Sequence, residues 1–292
     1  MTSIQAGAMF SPETIKDLYS KVKGHSAIAR LSAAEPVAFS GNDYFVFSAD
    51  DEAALVSELG EKPAGSASTA TVTARPFKLV YQARVSDEFL HCAEEKQLDI
   101  LSTFTDGMAK KVARGLDIVA LHGIDPKTKT ASSEYTSKCF DTMVTNEVTY
   151  DESAPDANIK TAIAMLEDSD ANGAAISKEM KTALGNMQTS TGADKYPEIG
   201  WGNTDLTNIK GLPVDCNTTV TYGNDKAEAY VGDFQNALKW GYAQDVNIDV
   251  IEYGSPDGGK DLKLTNEVLL RAEAYVGYAI LDKDAFARVV KA

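Results

Sequence analysis

The stretch Glu95 to Gly123, EKQLDILSTFTDGMAKKVARGLDIVALHG, constrains the fold before any other feature does. Apolar residues recur at Leu98, Leu101, Phe104, Met108, Val112, Leu116 and Val119, a three-and-four spacing without a break. The pattern predicts one helix of roughly 40 Å, as long as a small domain is wide. Gly123 and the Asp125-Pro126 pair end it, because glycine accepts a left-handed cap and proline cannot continue the hydrogen-bond ladder. Gly107 and Gly115 inside it each cost about 1 kcal/mol relative to alanine, so close packing or a bend must offset them.

The chain before this helix has little to bury. Between Pro36 and Pro76, the strand-like runs Tyr44-Phe45-Val46-Phe47 and Ala70-Thr71-Val72-Thr73 flank the acidic Asp50-Asp51-Glu52 and a loose tip from Gly60 to Ser66. This predicts a long hairpin whose returning arm, Ser66 to Thr73, is almost all serine, threonine and alanine. That arm has strand propensity without an apolar face. A two-stranded ribbon of this kind is marginal alone and is expected to lie on something else. Upstream, Ser11-Pro12-Glu13 leads into Ile15, Leu18, Tyr19 and Val22, one modest amphipathic helix within Phe10 to Leu31. Leu31 to Pro36 reads as an extended tether that docks on its own body or on a neighbour.

Phe77 to Val85 alternates as a strand, and Ser86-Asp87-Glu88 opens a short helix that hands over to the long one. Further on, Cys139 to Tyr150 carries short strand-like runs. Ala157 to Leu166 and Lys178 to Met187 read as helices around a strand at Ala174-Ala175-Ile176, and Thr189 to Asn208 as loop. Leu212 to Val214, Ala229 to Val231, Ala237 to Trp240, Val246 to Tyr253, Glu267 to Leu281 and a final segment from Lys283 to Val290 supply strand candidates. Strands and helices mix without a strict βαβ rhythm, so the expected class is α+β.

A chain of 292 residues with 43% hydrophobic content can build a real core. The net charge of −15 opposes tight, general binding to nucleic-acid phosphates. Cys92, Cys139 and Cys216 are widely spaced without a C-x-x-C pair, which points to a reducing compartment. The start of the chain lacks the pattern of a signal peptide, and no window approaches eighteen apolar residues, so cytoplasmic synthesis and no membrane span are expected. His25, His91 and His122 are scattered, and no G-x-S-x-G, G-x-G-x-x-G or Walker pattern occurs. No catalytic, cofactor-binding or metal-ligating residue is therefore nominated, and the chain reads as a non-enzyme. One pattern argues for a different class: Asp168-Ser-Asp170-Ala-Asn172-Gly173 with Glu179 satisfies the spacing of a calcium loop. Against it stand the small Ala175 at the loop's eighth position and the lack of a second such loop; the alternative is a helix end, an Asn-Gly turn and a strand.

The succession SPETIKDLYSKVKGHSAIARLS, FSGNDYFVF, YQARVSDEFL, GMAKKVARGLDIVALHGID, NIKGLPV and VLLRAEAYVGYAILDKDAFARV resembles the major capsid proteins of tailed bacteriophages with the Hong Kong 97-type fold. The resemblance covers nearly the whole chain, and its specificity lies in the order of parts. It implies an N-terminal arm (1–35), an extended β-hairpin loop (36–76) lying across a neighbouring subunit, and a peripheral domain (77–150 and 244–281) with a spine helix (95–122). Residues 151–243 and 282–292 would form the axial domain. It further implies self-assembly into pentamers and hexamers of an icosahedral shell, located in the virion and built in the bacterial cytoplasm. Double-stranded DNA would be enclosed without sequence-specific binding. A separate scaffolding protein or none is expected, because Met1 stands directly before the arm; portal, connector or decoration proteins would complete the partners. Some members crosslink a loop lysine to a neighbour, and Lys62 is the one lysine between Pro36 and Pro76. An encapsulin-type nanocompartment, built on the same fold, is the alternative shell.

Overall fold

The computed structural model describes residues 26–292 apart from 50–54, 57, 59, 61, 63, 66, 88–93, 167–168, 201–205 and 224–225. The helix expected between Ser11 and Val22, and the one expected to start at Ser86-Asp87-Glu88, fall largely outside these residues.

The long helix is present as α2 (Glu94–His122), preceded in the described chain by the five-residue α1 (Ala27–Leu31). Phe104, Met108, Val112, Leu116 and Val119 are buried as their spacing requires, joined by Ala113 and Ala120. From Leu116 onward the helix is buried on every side. Gly123 closes it at φ 65°, its N–H bonded to the Val119 carbonyl at 2.9 Å.

α2 packs on an antiparallel three-stranded sheet of order β3 (Pro76–Ser86), β10 (Glu267–Ile280), β9 (Leu238–Ile251). The two runs Ala237 to Trp240 and Val246 to Tyr253 are one continuous strand. The Gly-Tyr-Ala-Gln-Asp stretch between them, turn-like in composition, is absorbed by a register shift opposite Tyr275 and Val276. Close packing is found at one of the two helix glycines. A Cβ at Gly115 would stand 2.9 Å from a Leu79 methyl on β3, whereas one at Gly107 would meet nothing within 4 Å. Gly107→Ala is accordingly expected to raise stability by up to about 1 kcal/mol, while Gly115→Ala gains nothing because Leu79 must shift. Thermal melts of the two variants separate these outcomes.

The second sheet has six strands in the order β4 (Asn146–Thr149), β11 (Phe286–Val290), β8 (Ala227–Gly232), β5 (Gly173–Ile176), β7 (Leu212–Cys216), β6 (Asn208–Ile209). Its central strands are apolar on both faces, and the side-chain period of two splits them between two cores. Ala175, Tyr230 and Phe286 face the core shared with α2 and the three-stranded sheet. Ala174, Ile176, Ala229, Val231 and Ala287 face a second core under α4 (Pro155–Ala164) and α5 (Lys178–Gly185). Around Phe140 of α3 (Phe140–Met143), the rings of Tyr230, Phe234 and Phe286 gather at centroid distances of 4.8–6.0 Å. A short α6 (Leu262–Thr265), capped by Asp261 and closed by Asn266 in the left-handed region, leads into β10.

Candidate assembly interface

The hairpin is hydrogen-bonded as a sheet of its own. β1 (Asn42–Ala49) pairs antiparallel with β2 (Ala67–Ala74) in a ribbon of its own, with Phe45 opposite Thr71 and Phe47 opposite Thr69. Phe45 is 83% exposed and Phe47 68%. Two large aromatics on alternate positions of one strand face share a side of the ribbon, and among the described residues no apolar side chain of the returning arm covers them. Lys62 is exposed near the tip.

Both legs of the hairpin are fixed to the three-stranded sheet. The incoming leg runs along β9: the Glu35 N–H bonds the Trp240 carbonyl at 2.8 Å and the Val37 N–H bonds the Tyr242 carbonyl at 3.1 Å. The Trp240 indole donates to the Ser32 carbonyl at 3.1 Å, and Lys239 pairs with Glu35 at 2.7 Å. The extended tether expected from Leu31 to Pro36 is thus docked on its own body. Where it crosses β9, a Cβ on Gly241 would lie 1.5 Å from the Glu35 carbonyl oxygen. Its cross-strand partner Gly277 sits under the outgoing leg, where a Cβ would meet the Arg75 backbone at 3.2 Å. Two paired glycines therefore form the saddle over which the chain leaves and re-enters the body, a use of strand glycine for close backbone approach. At the hairpin root, the Asn42 side chain ties Pro36 and Ala38 together, and the Thr73 hydroxyl donates to Asp43 at 2.6 Å.

Upstream of the tether, α1 is held by a buried carboxylate. Asp117 of α2 accepts from the Ser26 hydroxyl and from the N–H groups of Ala27 at 3.0 Å and Ile28 at 3.3 Å. From the other side it accepts from the Thr219 hydroxyl at 2.9 Å and the Asn217 amide at 3.4 Å. Burial pushes its pKa up to about 6 against the pull of these bonds. The Thr219 carbonyl in turn lies 2.7 Å from His122 Nε2, and His122 Nδ1 lies 2.8 Å from Asp141, which also accepts from Tyr230. Of the histidines, His122 is buried in this structural network, and His25 and His91 lie outside the described residues.

The calcium-loop alternative fails on geometry. Asp168 lies outside the described residues, but Gly173 to Ile176, which would have to curl around an ion, form an extended strand between β8 and β7. Asn172 is committed to Asp233 and the Phe234 N–H, and Glu179 to Lys291 at 2.6 Å. Ser177 caps α5 by accepting from Met180 N–H, so the residues that mimic the motif are a strand and a helix start. Among the described residues, no group of three or more His, Cys, Asp or Glu could hold a metal ion. Cys139 and Cys216 are free thiols whose pKa values are raised by burial; Cys92 falls outside the described residues. No described helix is long and apolar enough to cross a membrane.

The β1–β2 ribbon thus carries two exposed aromatics on a strand pair anchored through its legs to a helix-backed sheet. The model of the phage capsid family matches residues 6–291. The chain belongs to the phage capsid family. A solved structure from Mycobacterium phage Ogopogo shares 33% identity, each chain covering 92% of the other, with a TM-score of 0.80. One from Gordonia phage Cozz shares 23% identity over 92% of this chain and 87% of that one, at a TM-score of 0.73. A structure titled "Capsid of empty GTA particle computed with C5 symmetry" has the same fold at 15% identity, covering 92% and 90% of the two chains, at a TM-score of 0.64. No curated relative matches. The capsid protein is a phage major capsid protein of the Hong Kong 97-type α+β fold, and the family match favours this over the nanocompartment and calcium-binding alternatives.

Proposed function

We propose that the capsid protein assembles with itself into pentamers and hexamers of an icosahedral shell that encloses double-stranded DNA in the virion, after assembly in the bacterial cytoplasm. The β1–β2 hairpin would lie across a neighbouring subunit. The observation that carries this is the exposed Phe45–Phe47 face on a ribbon without a core of its own. In this reading residues 1–35 are the arm and 36–76 the extended loop. Residues 77–150 and 244–281 form the peripheral domain around α2, its spine, and residues 151–243 with 282–292 the axial domain; β4 and the start of β9 cross between the two. The protein acts as a structural subunit and not as an enzyme, alongside a separate scaffold, a portal and connector or decoration proteins.

Sedimentation followed by electron microscopy tests it. Wild-type protein is expected to give rings, tubes or shells under assembly conditions, with scaffold supplied. The double variant Phe45→Ser/Phe47→Ser should melt within about 1 kcal/mol of wild type, since exposed substitutions away from packing cost little, yet remain unassembled. Normal shells from that variant would remove the hairpin from the interface.

A further inference from the structure

We propose that the exposed flank of α2 and the loops beside it form a contact surface for the phosphate backbone of double-stranded DNA, an inference that rests on the shell reading above. Arg114 follows Lys110 by four residues and Lys111 by three, so each lysine is its neighbour on the helix surface. The Arg114 guanidinium lies over the Tyr222 ring, 4.9 Å from its centroid, and the Lys129 ammonium lies 5.7 Å from the same centroid. Tyr222 is fixed by its hydroxyl, which donates to the Pro126 carbonyl at 2.7 Å, and Arg114 by a 2.8 Å bond to Thr218. Exposed Lys226, whose ammonium also donates to the Ala292 carbonyl at 3.0 Å, lines one cleft with Tyr222, so the basic band continues from the helix across the ring.

The described acids beside this band offset only part of it. Asp117 is buried, and the exposed Asp125, whose Oδ1 accepts from the N–H groups of Lys127 and Thr128, stands next to the cations Lys127 and Lys129. On the far wall of the cleft, Arg288 bonds Glu147 at 2.8 Å and faces Asp141 at 3.7 Å. Asp106, one turn before Lys110, is the remaining acid on this flank among the described side chains. A row of cations around an aromatic platform suits a continuous polyphosphate better than a single carboxylate or phosphate group. The net charge of −15 over the whole chain keeps the contact weak and confined to this band. Weak, localised contact is what a wall needs if DNA is to slide past it.

The test is fluorescence anisotropy of a short DNA duplex with unassembled protein across a salt series. Engagement of about four phosphates predicts a slope of log Kobs on log salt near −3.6, from about −0.9 per phosphate. Lys111→Glu/Lys129→Glu should weaken binding at least tenfold near 50 mM salt and flatten the slope by about 2. Lys260→Glu/Lys283→Glu, which changes net charge equally on exposed residues elsewhere, should stay within twofold to threefold of wild type. Equal losses in both doubles, no wild-type binding at low salt, or tighter binding of polyglutamate than of duplex would each overturn the inference. Electron microscopy of the same preparations keeps the two readings apart: shells without duplex affinity reject only the DNA surface, whereas the absence of shells rejects the capsid assembly itself.

Discussion

Gly241→Ala is expected to lower stability by about 3 kcal/mol or more and to abolish assembly, although it adds a single methyl group. The added carbon would sit 1.5 Å from the Glu35 carbonyl oxygen, and the obstruction is backbone rather than the end of a flexible side chain. The tether must therefore leave β9. With it go the bonds from Glu35 and Val37 to the strand, the Trp240 bond to Ser32 and the Lys239–Glu35 pair. Each net hydrogen bond contributes about 1 kcal/mol, and the indole of fully buried Trp240 would also be left without its acceptor. Gly277→Ala meets the Arg75 backbone at 3.2 Å and is expected to cost only about 1 kcal/mol. Gly65→Ala, with open space around it, serves as the neutral control. Denaturant melts and limited proteolysis of the tether read all three. A Gly241→Ala protein with an unchanged midpoint and a protected tether would show that the crossing is not held there.

The parts legible in the sequence were those whose burial follows a period. The three-and-four spacing from Phe104 to Val119 gave α2 its buried face, and the missing apolar arm between Ser66 and Thr73 marked a ribbon that depends on something else. The apolar runs at Ala174–Ile176 and Ala229–Val231 proved to be central strands of one sheet. What stayed hidden depends on partners distant in the chain. Gly241 sits in a Gly-Tyr-Ala-Gln-Asp stretch that reads as a turn, because composition cannot say that another segment passes over that backbone. The calcium-like spacing from Asp168 to Glu179 matched a pattern of residue types, but hydrogen bonding to β8 and β7 drew its middle into a sheet. A usable signal did exist for the buried polar network. Leu116 to Leu121 is apolar at every position except Asp117, and a helix that is apolar all round is buried all round. That should have marked Asp117 and His122 as buried groups in need of partners.

Asp117→Ala tests that network and is expected to cost about 3–5 kcal/mol, with a gap to wild type that narrows as pH rises. Removing the carboxylate strands the Ser26 and Thr219 hydroxyls, the N–H groups of Ala27 and Ile28 and the Asn217 amide, all of which converge on it. It also unfastens α1, whose Ala27 and Ile28 are fully buried, and with it the path of the N-terminal segment toward the tether. The pH dependence follows from burial. Burial raises the carboxyl to about 6 in the fold from the ordinary 3.8, so between these values the folded chain holds a proton that the unfolded chain has lost. Its contribution is therefore fully present below about 3.8 and diminishes as pH rises through about 6, by roughly 3 kcal/mol for a shift of about two units. Alanine does not titrate, and distant groups cancel in the comparison. Chemical denaturation of both proteins at pH 5 and pH 8 reads the difference directly. A gap that widens with pH would mean that the five donors outweigh burial and hold the carboxylate ionised in the fold, the reverse of the balance argued here. A constant gap would mean that the two effects cancel. In either case α1 should become the first segment cut by protease in the variant, because its hydrogen bonds to α2 run through this one side chain.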